Sequence, residues 1–71
     1  MKKIILIEGM HCANCSGRVN DVLTNLPGVD KVKVDLKKKN AIIKCSDDLS
    51  DEIIRSSINK LGFEVIEIKE K

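Results

Sequence analysis

The stretch VDKVKVDLKKKNAIIKC, residues 29–45, decides the fold. Val32 and Val34 alternate with Lys31, Lys33 and Asp35, the period of a half-buried strand over Val29 to Leu36. Lys37-Lys38-Lys39-Asn40 is a polar turn, and Ala41 to Cys45 continues as the next strand, so the two form a hairpin. Working outward toward the N-terminus, Lys3 to Glu8 is a short β-branched run that reads as a strand broken by Gly9. From Ala13, Val19, Val22, Leu23 and Leu26 recur at helical spacing until Pro27-Gly28 stops the helix. Toward the C-terminus, Ser46-Asp47-Asp48 leads into a second helix. Ser50 is its N-cap, and Asp51 and Glu52 lie in its first turn, where acids suit the helix dipole. Ile54, Ile58 and Leu61 mark its buried stripe, and Gly62 ends it. Phe63 to Ile68 is the last strand, followed by a charged tail expected to fray.

Two strands in direct succession between two helices give the order β-α-β-β-α-β. That is the split pattern of an α+β, ferredoxin-like sandwich: a four-stranded antiparallel sheet with two helices on one face. Right-handed crossovers make strands one and two parallel, with strand three between them and strand four on the other edge of strand one. This topology places the end of strand one, the hairpin turn and the turn before strand four at one edge of the sheet. Met10 to Cys15, Lys37 to Lys39 and Gly62-Phe63 are therefore expected to be neighbours. Cys45 lies at the far end of strand three, about 16 Å from the other two cysteines at ~3.3 Å per residue. It is not expected to share their chemistry.

Seventy-one residues suit one small domain, taken as 1–71. The chain is 42% apolar and 34% charged, which reads as globular and not disordered. Phe63 is the only aromatic, so Ile, Val and Leu must build the core. The same scarcity of base-stacking rings, with a net charge of only +2, argues against nucleic acid. No apolar run approaches the ~20 residues needed to span a membrane. Met1-Lys2-Lys3 followed by Ile4 to Ile7 is too short for a secretory signal. The expected location is the cytoplasm, where three cysteines imply thiols or metal ligands more than a structural disulfide.

EGMHCANCSGRV, residues 8–19, carries the chemistry. Cys12 and Cys15 straddle a loop and a first helical turn, where free backbone N–H groups and the positive end of the helix dipole favour thiolate. Thiolates are soft ligands that select Cu(I), and also Zn(II) or thiophilic heavy metals. A closed structural zinc site wants four ligands. Here only His11 and Met10 stand near the two sulfurs, whereas Cu(I) accepts two or three ligands. The open flank suits an ion that a partner's thiolates must remove. A dithiol oxidoreductase competes for the C-x-x-C signal, but a thioredoxin needs a larger βαβ framework and normally holds a Pro where this chain has Ala13-Asn14.

Gly9-Met10-His11-Cys12-Ala13-Asn14-Cys15, between a strand and a helix, resembles the G-M-x-C-x-x-C motif of the heavy-metal-associated domain family. LPGV at 26–29 and LGFEV at 61–65 sit where that family places them, and the resemblance covers essentially the whole chain. It implies a non-enzymatic Cu(I) chaperone, with Cys12 and Cys15 as metal ligands. Its partner would be the metal-binding domain of a P-type ATPase or another copper protein, and transfer would run by thiolate exchange through three-coordinate intermediates. The alternatives are the N-terminal metal-binding module of such a pump, for copper or for zinc and cadmium, and a mercury-binding protein. Position 11 is His, where zinc and cadmium modules tend to carry an acid. Hg(II), Zn(II), Cd(II) and Ag(I) remain candidate soft metals besides Cu(I). A start at Met1 and a charged end favour the free chaperone; Phe63, common in the pump modules, points the other way.

The surrounding residues carry smaller expectations. Met10 packs into the core beneath the loop, as adaptable Met side chains do, rather than ligating copper. His11 is expected at the surface, with a cationic influence on the thiolates or direct ligation as weaker readings. Cys45, in phase with Ala41 and Ile43, is expected as a buried core thiol. Lys37 to Lys39 with Arg18 and Lys60 are either a solvated surface or a basic rim that steers an acidic partner. Ile4, Leu6 and Ile42, joined by Ile66 and Ile68, place an apolar stripe on the sheet face that no helix covers. The apo chain is expected as a monomer. A metal-bridged pair is one route to a dimer, and that stripe, as a sheet-face contact or a seat for another domain, is a second.

Overall fold

The computed structural model describes residues 1–11 and 13–70. Along them run β1 (Lys2–Glu8), α1 (Ala13–Thr24), β2 (Val29–Asp35), β3 (Asn40–Cys45), α2 (Asp51–Asn59) and β4 (Glu64–Glu70). The strands form one sheet in the order β2-β3-β1-β4, with each neighbouring pair antiparallel. This is the ferredoxin-like arrangement that the hairpin and the crossover rule imply.

Alternation sets which side of each strand is covered. Ile5, Ile7, Ala41, Ile43, Cys45 and Val65 point to the helices and pack with Val19 and Leu23 of α1 and Ile54 and Ile58 of α2. Each fully buried Ile, Leu or Val contributes about 1.5–3 kcal/mol of transfer free energy, and no aromatic side chain is needed to close this core. Helix α2 starts as its sequence suggests. Ser50 is extended (φ −84°, ψ 148°) and its Oγ accepts from the Ile53 N–H at 3.2 Å.

Lys3 is the residue sequence reading overlooked. It shares the inward phase of Ile5 and Ile7 and is buried at 5% exposure. Its ammonium donates to the Leu49 carbonyl at 3.1 Å and to Asp51 Oδ1 at 2.6 Å. One cation therefore ties the start of β1 to the start of α2 and satisfies groups that burial would otherwise leave unpaired.

Four expectations need correction. β4 continues to Glu70, because Lys69 and Glu70 pair with Ile4 and Lys3 of β1; the ladder overrides the polarity of the tail. It also begins at Glu64, one residue after Phe63. Ile68 is not on the uncovered face. Between the pairs Leu6↔Glu67 and Ile7↔Val65 the register shifts, leaving Ile66 as the extra residue of a bulge. The bulge resets the phase, so Ile68 lies opposite inward Ile5 and packs against the core, while Ile66 is 53% exposed. Leu61 lies beyond the end of α2 and is half-buried against the core.

Candidate metal centre

Cys15 occupies the first turn of α1, half-buried and packed against the core. Cys12, its expected partner, lies outside the described residues. Met10, two positions before it, is buried at 2% exposure within the core cluster, as expected of a side chain that anchors the loop from beneath. His11 points to solvent.

The β2–β3 turn and the turn before β4 both reach the end of β1 at this edge. The Ile7 N–H donates to the Lys39 carbonyl at 2.9 Å, which fastens the β2–β3 turn to the last residues of β1. Gly9 has φ +104°, and a Cβ built there would lie 3.1 Å from Cδ1 of Phe63. Only glycine meets both demands, so Gly9 lets the single aromatic ring close against the loop from the β4 side. Phe63 is half-buried and packs on the core edge.

Cys45 is at the opposite end of the sheet. Its N–H donates to the Met1 carbonyl at 2.8 Å, and it faces Val29 across the hairpin. The length of β1, about 20 Å at ~3.3 Å per residue, stands between it and the Gly9 loop. It is buried at 2% exposure, the core thiol expected from its phase.

Lys37, Lys38, Lys39, Arg18 and Lys60 are all exposed. The rim at this edge is not uniformly basic, however. Glu8 and Glu64 are also exposed and stand opposite each other across β1 and β4, next to the loop. Sequence reading did not weigh them, although Glu8 directly precedes Gly9. Among the described residues, no helix is long and apolar enough to cross a membrane.

Comparison with known proteins identifies relatives of this fold. The copper chaperone CopZ of Enterococcus hirae is 35% identical over 65 residues, covering 90% of this chain and 94% of that protein. A probable copper-importing P-type ATPase A of the same organism is 36% identical over 61 residues, covering 86% of this chain but 8% of the pump. Among solved structures, a copper binding domain from HMA7, a P-type ATPase, superposes with a TM-score of 0.88 at 35% identity, covering 99% of this chain and 96% of that one. The heavy-metal-associated domain model matches residues 4–64, which span β1 through the start of β4 and include the C-x-x-C loop. The chain belongs to the heavy-metal-associated domain family.

Proposed function

We propose that this chain binds one Cu(I) between Cys12 and Cys15 and passes it to the thiolates of a partner, such as the metal-binding domain of a P-type ATPase. The observation that carries the reading is the position of Cys15. Its sulfur sits in the first turn of α1, seated on the core, at the edge where Met10, Lys39 and Phe63 converge. A dithiolate suits a soft monovalent ion, and an ion held by two ligands keeps a flank open to a third. Transfer then proceeds by ligand exchange. An incoming thiolate bonds to copper, one outgoing thiolate leaves, and the second exchange completes delivery with no change in oxidation state. The chain acts as a carrier in the cytoplasm and transforms no substrate. The basic side chains nearby favour an approaching acidic surface.

A second reading, a metal-binding module of a P-type ATPase, is favoured by the equal likeness to pump segments and by Phe63. Both readings share the same dithiolate chemistry. Titrating the reduced protein with Cu(I), Zn(II) and Hg(II) under a competing chelator, with native mass spectrometry, tests it. One Cu(I) per chain is expected, lost in Cys12→Ser and in Cys15→Ser. A preference for Zn(II), or full retention of copper in either serine variant, refutes the reading. Insulin reduction by the metal-free protein would instead mark a dithiol oxidoreductase.

A further inference from the structure

The end of the sheet farthest from the metal loop carries a cluster of cations that the proposed copper chemistry does not use. Lys44 of β3 stands in register with Lys2 of β1 on one side and with Lys31 of β2 on the other. Their chain neighbours Lys3, Val32 and Ile43 point to the core, so the three project from the face that no helix covers. Lys33 follows two residues on along β2, opposite half-buried Ile42. These four exposed lysines and Ile42 line one cavity of about 280 Å³.

Cross-strand partners lie about 5 Å apart at Cβ, and like charges directly opposite one another destabilise a sheet. Among the described residues, none of the four ammonium groups takes part in a hydrogen bond or an ion pair. The acids farther along this face are engaged elsewhere. Asp35 Oδ1 accepts from the Lys38 N–H at 3.0 Å, and Glu67 stands 3.8 Å from Lys69. Cations gathered around a cavity without an internal counter-charge are the makings of an anion site.

We propose that this cavity binds an oligophosphate chain, with Lys44 at its centre and Lys2, Lys31 and Lys33 around it. Three properties select that ligand. The row from Lys31 to Lys2 spans two strand spacings, about 10 Å, which linked phosphates bridge and a single phosphate or sulfate does not. The cavity is just below the ~300–1,000 Å³ of pockets that enclose drug-sized molecules, so it takes the phosphates and leaves any attached group outside. The only aromatic ring, Phe63, lies against Gly9 at the metal-loop end, so no base is stacked here. Recognition is therefore of the phosphate chain alone. The site also acts separately from the thiol pair. The length of β1, about 20 Å, is more than twice the ~8 Å screening length at physiological ionic strength, and a bound anion leaves the metal loop open.

The test is titration of the reduced, metal-free protein with inorganic triphosphate, followed by amide NMR shifts at an ionic strength fixed near about 0.1 M. A ligand of about thirteen non-hydrogen atoms at ordinary ligand efficiency gives a dissociation constant of about 1 mM. Saturable shifts with that midpoint are expected at Lys2, Lys31, Lys33 and Lys44. Adenosine triphosphate is expected to bind within about twofold of inorganic triphosphate, and sulfate at least about fivefold more weakly. Lys31→Gln/Lys44→Gln alters exposed positions only and is expected to weaken triphosphate at least about fivefold. Lys37→Gln/Lys38→Gln removes equal charge at the opposite end and is expected to leave triphosphate affinity within about twofold. No saturation by about 5 mM triphosphate overturns the proposal. So does equal weakening by the two double variants, the mark of general attraction to positive charge, or sulfate binding as tight as triphosphate. Binding to vesicles of anionic phospholipid without binding to triphosphate also overturns it, and assigns these lysines to a membrane surface.

Discussion

Replacing Met10 separates a core anchor from a copper ligand. Met10 is 2% exposed and belongs to the core cluster, so Met10→Ala removes buried atoms and leaves a cavity beneath the loop. Comparable substitutions cost about 2–5 kcal/mol. A chain of 71 residues has a total stability of roughly 4–11 kcal/mol at ~0.05–0.15 kcal/mol per residue, so this loss removes a large share of it. At about 4–8 °C per kcal/mol, the melting temperature should fall by roughly 10 °C or more. Met10→Leu conserves volume and should cost less than about 1.5 kcal/mol. Since the thioether sits in the core and not in the ligand set, Met10→Leu should keep Cu(I) affinity within about threefold, or ~0.7 kcal/mol. Calorimetric melting of the apo protein and a chelator-competition titration read the two quantities separately. The reasoning fails if Met10→Leu melts like the wild type yet binds Cu(I) more than about tenfold more weakly, since only ligation by sulfur explains that pairing. It also fails if Met10→Ala costs less than about 1 kcal/mol.

Other perturbations probe the frame around the site. Lys3→Met removes the ammonium that bonds the Leu49 carbonyl and Asp51; a loss of about 1–3 kcal/mol in urea unfolding is expected, and a neutral result would show that solvent satisfies those groups. Gly9→Ala forces a side chain into φ +104° and to 3.1 Å from the Phe63 ring, so a loss of about 1–3 kcal/mol is expected together with greater exposure of Phe63 to fluorescence quenchers; an unchanged melting curve would refute the close approach. Cys45→Ser buries a hydroxyl in the core at a cost of about 1–3 kcal/mol, while copper stoichiometry and affinity stay unchanged; a loss of copper would overturn the separation of Cys45 from the loop.

The chain's local chemistry determined its elements and their order. Val32 and Val34 against three charged neighbours, the Lys37–Lys39 turn, Ser50 at a helix start and Pro27-Gly28 after a helix each act through a few adjacent residues, so their meaning survives without a fold. The placement of Cys15 in a first helical turn and the burial of Cys45 followed from the same short periods, whereas the burial of Met10 was expected from the adaptability of its side chain and from the family resemblance. Only the tertiary structure decided the rest. The β4 bulge that turns Ile68 inward, the extension of that strand to Glu70, and the burial of Lys3 beneath α2 depend on partners 46 or more residues away in sequence. Likewise, Lys2, Lys44 and Lys31, on three different strands, stand in one row only once register brings them together, because charge acts through space and the order of residues along a chain does not record it.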